Sequence, residues 1–140
     1  MYNVRKVTED LYWVGANDHR LHLFENIHPI PRGVTYNSYL LLDEKTALFD
    51  TVDWSACRQL LENMEHLLGE RPLDYLVINH MEPDHGASIE EILIRYPDVK
   101  IVSTEKAFML MRQFGFCLDD HELIEAKEGE TLTFGSHTIT

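Results

Sequence analysis

The stretch LDYLVINHMEPDHGAS, residues 73–88, decides how the rest of this chain is read. Its first half is a nearly continuous apolar run, the pattern of a strand buried on both faces of a sheet. Its second half places His80, Glu82, Asp84 and His85 within six residues, directly beyond that run. In open α/β folds, ligand and metal sites gather where loops leave the carboxyl ends of strands. An extended backbone alternates its side chains, so His80, Glu82 and Asp84 are expected to project to one side. His85 is out of that phase and needs a turn, expected at Gly86, to join them. Two imidazoles and two carboxylates without a thiolate make a nitrogen/oxygen set. Such a set suits iron or manganese better than a structural zinc, and four donors so close can serve two ions.

Working outward, the flanking sequence predicts strands and helices in a layered order. LYWVG (11–15), SYLLLD (38–43) and TALFDT (46–51) read as strands, the last two joined by a tight turn at Glu44-Lys45. HPIPRGVTYN, between the first two, reads as a loop on its prolines and glycine. Ala56, Leu60, Leu61, Met64, Leu67 and Leu68 recur at helical spacing, which predicts a helix over about 55–68. Asp53 or Ser55 is its expected cap and Gly69 its stop. After the motif a helix is expected over 87–96, ended by Pro97, then a strand at VKIVS. A helix capped by Ser103 or Thr104 follows, closed by Gly115. TLTFG and HTIT read as a terminal hairpin turning at Gly135-Ser136. Strands first, then alternating strand and helix, predict one α/β domain with a mixed sheet. Thr140 stops that last strand pattern in mid-alternation, as in a truncated fold.

Composition narrows the function classes. The chain has 140 residues, 44% hydrophobic, with 24 acidic against 12 basic side chains and a formal charge of −12. That balance repels phosphate backbones and anionic lipid, so no nucleic-acid or membrane partner is expected. No run approaches the roughly 18 apolar residues of a membrane span, and no secretory leader is evident. Cys57 and Cys117 are 60 residues apart, lack a C-x-x-C spacing and fall among apolar residues. They are expected as buried thiols of a cytoplasmic protein.

NHMEPDHGAS closely resembles the H-x-E-x-D-H motif of flavodiiron proteins (A-type flavoproteins), a branch of the metallo-β-lactamase fold. GVTYNSYLLLDEKTALFDTVD (33–53) resembles that family's first hairpin, as does the opening Val7 with YWVGANDHR (12–20). The resemblance runs from about Val7 to Thr140. It implies an α/β fold, part of a metallo-β-lactamase-like αββα sandwich that this chain only partly spans. The hydrolases of that superfamily carry histidine where this chain has Glu82, and the carboxylate marks the redox branch. By the same resemblance His80 and Glu82 hold one iron, Asp84 and His85 hold the other, and Asp50 supports the ligands from behind. Family members reduce dioxygen or nitric oxide at two non-haem irons with electrons from FMN. That FMN sits in a flavodoxin-like domain, reduced by a donor such as rubredoxin, and donates across a homodimer.

Two further histidines and a bridging aspartate of the family's ligand set have no counterpart in these 140 residues, nor has an FMN loop. The expectation is half a ligand set, inactive by itself. His19, His22 and His28 lie in the segment that overhangs the site in this family. His66, His121 and His137 are expected to be peripheral. The competing readings are a zinc-dependent metallo-hydrolase of the same fold and a non-catalytic domain in which the motif braces a turn.

Overall fold

The computed structural model describes residues 1–24 and 26–140. In chain order its elements are β1 (Arg5–Lys6), β2 (Leu11–Trp13), β3 (Ala16–Asp18), β4 (Leu23–Phe24), β5 (His28–Pro29), β6 (Val34–Tyr36), β7 (Tyr39–Leu42) and β8 (Thr46–Phe49). A 3-10 turn (Trp54–Ala56) leads into α1 (Cys57–Leu68), followed by β9 (Tyr75–Val77), α2 (Pro83–Gly86) and α3 (Ile89–Arg95). β10 (Lys100–Ser103), α4 (Glu105–Gln113), β11 (Leu123–Glu125), β12 (Leu132–Thr133) and β13 (Thr138–Ile139) complete the chain.

Seven strands form the main sheet in the order β1-β2-β7-β8-β9-β10-β11. The first four are antiparallel, whereas β8, β9, β10 and β11 run parallel. Parallel neighbours need a crossover, and α1 and α4 provide those into β9 and β11. Strand β9, the apolar half of the opening stretch, lies at the centre of this parallel part. The mixed sheet with helices is the predicted class.

Alternation along the strands separates the two faces. Leu40, Leu48, Leu76 and Ile101 point into the larger core with Leu60 and Met64 of α1, Ile92 of α3, and Phe108 and Met111 of α4. Leu41 and Ala47 point the other way, where Phe134 closes over them beside Phe49 and Tyr75. The helices therefore cover one face, and the β12–β13 hairpin covers part of the other.

Local chemistry explains most element ends. Asp53 accepts from Ser55 N and starts the 3-10 turn, Thr104 accepts from Ala107 N and starts α4, and Gly69 ends α1 at φ +57°. The loop expected at 28–37 is partly strand, because β6 pairs with β3 and His28–Pro29 pairs with β4. The close approach there needs Gly15, since a Cβ at that position would lie 1.9 Å from the Tyr36 carbonyl oxygen. The β7–β8 turn spans Asp43, Glu44 and Lys45, one residue more than expected. The terminal hairpin turns over four residues, Phe134–His137. Strand β11 was not anticipated.

The cysteine expectation holds for one thiol only. Cys57 is buried, and burial pushes its thiol above the ordinary range, while Cys117 is exposed. Phe116 and Leu118 pack inward on either side of Cys117, whose own side chain faces out.

Candidate metal centre

Parallel pairing brings the ends of β8 and β9 to the same edge, with Phe49 opposite Val77. The next residues carry the chemistry: Asp50 follows β8, and Ile78, Asn79 and His80 follow β9. Asp50 N donates to Val77 O at 2.8 Å and Ile78 N donates to Val102 O at 2.9 Å, so the ladder extends to this point. Thr51 N donates to His85 O at 2.9 Å, and the Thr51 hydroxyl donates to the same oxygen. That pair anchors the motif loop on the end of β8.

One ligand atom each from Asp50, His80 and His85 falls within 4.8 Å of the others. The two imidazole rings lie 4.2 Å apart, centroid to centroid, inclined by 48°. Glu82 Oε2 lies 3.6 Å from His80 Nδ1, and Asp84 Oδ2 lies 3.4 Å from His85 Nε2. Three of the five residues singled out in the sequence, Asp50, His80 and His85, thus form one group, and Glu82 and Asp84 each lie beside one of its histidines. Asp50, expected behind the ligands, stands in the innermost group, its Oδ2 3.7 Å from His85 Nδ1.

The expected alternation of Glu82 and Asp84 onto one side is not what the chain does. Pro83 begins a helical turn, α2, so the turn starts three residues before Gly86. Glu82 N-caps it in an extended conformation and faces a groove of about 440 Å³ with His80, Thr104, Lys106, Leu110 and Phe114. Asp84 faces a separate cavity of about 220 Å³ with Leu21, Leu23, Phe24, Tyr36 and Asp53. The two carboxylates serve opposite sides of one short loop. Glu82 is 67% exposed and Asp84 17% exposed at the side chain.

Two atoms test whether these residues fit a cation. Asp84 Oδ1 and His85 Nδ1 are buried without any hydrogen-bond partner among the described residues. Leaving such groups unmet costs about 1–3 kcal/mol each, so native folds rarely tolerate them without a ligand. A cation meets the carboxylate's need directly, and the donor set of imidazole nitrogen and carboxylate oxygen fits a non-haem iron.

The segment over the cavity contributes apolar side chains more than histidines. Leu21, Leu23 and Phe24 line it, while His19 Nδ1 lies 3.1 Å from the Arg32 carbonyl. Tyr36, 2% exposed, was missed in the sequence because a lone tyrosine in a strand carries no signal. Burial pushes its phenol upward, and the charges of Asp53, Asp18 and Asp84 add to that. The phenol is a neutral hydrogen-bond donor at physiological pH. Of the peripheral histidines, His66 stacks on Tyr2 with centroids 3.4 Å apart, and His121 Nδ1 lies 3.0 Å from Val99 O. His137 is engaged elsewhere, with Asp43.

A mixed sheet backed by helices, with a histidine–carboxylate cluster at its carboxyl edge, defines a metal-binding domain of the metallo-β-lactamase class. Residues 34–140 match the family described as ODP family beta lactamase, and the chain belongs to that family. It is 34% identical over 135 residues to the nitric oxide reductase of Moorella thermoacetica, covering 96% of this chain and 34% of that protein. It superposes on the rubredoxin oxygen:oxidoreductase of Desulfovibrio gigas with a TM-score of 0.89 at 32% identity, covering 97% of this chain and 34% of that one. The flavodiiron protein of Giardia intestinalis superposes with a TM-score of 0.88 at 24% identity, over 97% of this chain and 33% of its own, and speaks to the fold alone. The relatives are those the motif resembles, and the chain spans about a third of their length.

Proposed function

We propose that this chain carries one side of the diiron centre of an oxidoreductase that reduces dioxygen or nitric oxide. In this reading residues 1–140 are the N-terminal portion of the metal domain. The remaining ligands and an FMN-binding flavodoxin-like domain come from sequence beyond it. The reading draws on the relatives, which bear the names of a nitric oxide reductase and a rubredoxin oxygen:oxidoreductase. The observation that carries it is the pairing of each histidine with a carboxylate, His80 with Glu82 and Asp84 with His85, across a ring separation of 4.2 Å.

His80 and Glu82 would hold one iron, and Asp84 and His85 the other. When bound, the irons supply one electron each and a seat for a diatomic molecule. The chain's own residues do the rest. Two carboxylates, with Asp50 behind them, offset the cationic charge without thiolates. Leu21, Leu23 and Phe24 line the Asp84 side with apolar surface, and the neutral Tyr36 hydroxyl offers a donor in that same cavity. Four donors do not saturate two irons, which is why the chain alone is inactive in this account. Dioxygen reduction takes four electrons, so the donor is a reduced FMN refilled by a rubredoxin-type partner, across a homodimer in the cytoplasm. Among the described residues no helix is long and apolar enough to cross a membrane.

Glu82 separates this reading from a zinc hydrolase of the same fold. The test is ferrous reconstitution of the full-length protein carrying this sequence, with a reduced flavin or rubredoxin donor. Consumption of dioxygen or nitric oxide that is lost in Glu82→His is expected. Ester or β-lactam hydrolysis by the zinc form, without consumption of either gas by the iron form, would overturn it.

A further inference from the structure

Asp50, Thr51 and Val52 leave the end of β8 in succession, and a hydroxyl ties each of them. The Asp50 carbonyl accepts from Ser38 Oγ at 2.8 Å. The Thr51 hydroxyl donates to His85 O, beside the bond that Thr51 N makes to the same oxygen at 2.9 Å. The Val52 carbonyl accepts from Ser88 Oγ at 2.9 Å. Ser38, Thr51 and Ser88 are all 0% exposed, so each hydroxyl is spent inside the fold. The last two ties run between segment 50–52 and segment 85–88, with one hydroxyl supplied from each side. The two segments hold each other.

Both hydroxyls do something other than routine helix capping. His85 lies in the last turn of α2, which ends at Gly86, so its carbonyl is one that a helix leaves without an internal donor. Thr51 meets that carbonyl from the end of β8. Ser88 is the N-cap of α3, where a serine oxygen normally accepts from the first turn, and it makes no such bond. Its hydroxyl reaches across to Val52 instead. Next to these ties stands Asp50, at φ +56° in the left-handed region that residues with a Cβ seldom adopt. Its Oδ2 comes within 3.7 Å of His85 Nδ1.

We propose that Thr51 and Ser88 are positioning residues: their hydroxyls lock the end of β8 to the motif loop and so hold Asp50 and His85 together as a preformed seat for a divalent cation. Both act through a neighbour's backbone, and neither is a ligand. A hydroxyl bond to a carbonyl is directional, so it sets the loop over the sheet edge more narrowly than apolar packing does. Thr46 supplies the contrast. It begins β8 at the far end, is likewise 0% exposed, and its hydroxyl donates to Pro72 O at 2.7 Å. The seat's cation rests on the functional reading above, whereas the lock is a property of the metal-free chain.

The test compares Thr51→Val, Thr51→Ser, Ser88→Ala and Thr46→Val in the 140-residue chain. Amide hydrogen exchange without metal reports the lock. Ferrous iron alone, titrated anaerobically against a competing chelator, reports the seat. Thr51→Val and Ser88→Ala are expected to speed exchange at His85, Gly86 and Ala87 about tenfold relative to the amides of α1. Both should weaken ferrous binding about 10-fold or more, and Thr51→Ser should restore both readings. Thr46→Val should lower the melting temperature at least as far as Thr51→Val, yet leave the relative exchange at 85–87 and the ferrous affinity unchanged. Exchange at 85–87 that is indifferent to Thr51→Val overturns the proposal. So does a ferrous affinity that Thr46→Val lowers as far as Thr51→Val does. A chain that takes up no iron, but whose loop loosens in Thr51→Val and tightens again in Thr51→Ser, supports the lock and defeats the metal reading. The two failures are therefore distinguishable.

Discussion

The main sheet carries two clusters built from the same residue types, histidine and carboxylate, at its two ends. At the β7–β8 turn, Asp43 accepts from Glu44 N at 2.7 Å, His137 N at 2.8 Å and His137 Nδ1 at 2.6 Å, and from Ser136 N at 3.2 Å and Oγ at 3.1 Å. His137 Nε2 reaches Asp10 Oδ2 at 3.4 Å. At the opposite edge, Asp84 Oδ1 and His85 Nδ1 are buried and unmet. The first cluster spends its polar atoms on the fold, tying the terminal hairpin to the first one. The second leaves two of them unmet. The same residue types thus brace the fold where they are satisfied and, in the function proposed above, hold metal where they are not.

The comparison breaks most visibly at Phe134, which the first cluster holds in place. Its ring is 1% exposed and meets Phe49 and Tyr75 edge-on, with centroids 6.2 Å and 5.3 Å away. Phe134→Ala is expected to cost about 3–4 kcal/mol in denaturant unfolding, with ferrous binding unchanged once folded. A smaller effect, of opposite sign at the two clusters, follows from satisfaction. Replacing His85 by Leu removes an unmet buried nitrogen, so His85→Leu should leave the metal-free chain as stable or up to about 1 kcal/mol more stable. His137→Leu removes a met one and should lower the melting temperature. Equal losses at both sites would erase the distinction.

The smallest effect is a dependence on pH. Asp43 is held well below the usual carboxylate range, first of all by the His137 side chain, and the same bond raises His137. A depressed carboxyl stabilises above its unfolded value near 4 and loses that as pH falls through the folded one. A raised histidine stabilises below its unfolded value near 6.5 and loses that as pH rises through the folded one. The clamp is therefore strongest between about pH 4 and 6.5. Amide exchange in β12 and β13, corrected for intrinsic rates, should speed up from pH 6 to pH 9 and slow again on return.

How much of this was legible in the sequence follows the range of each signal. Strand β9, helix α1 and the caps at Asp53 and Thr104 are local patterns, and they read correctly. The start of α2 at Pro83 departs from the extended alternation expected there because proline favours the first turn of a helix. β11 is three residues long, and its strand character comes from pairing with β10 and not from its own composition. The Asp43–His137 tie joins positions 94 residues apart, and Asp50 meets Asn79 across 29. No spacing rule reaches that far, and only the sheet brings those residues together.

In the function proposed above, residues 80–85 form one side of a metal centre whose other ligands lie elsewhere. Anaerobic ferrous titration of the 140-residue chain, with metal counted per chain, tests it most directly. The account predicts weak, incomplete uptake that His80→Ala and His85→Ala each reduce about 100-fold or more, with the fold intact. Uptake indifferent to both substitutions, or two irons held tightly by the unaided chain, would contradict it.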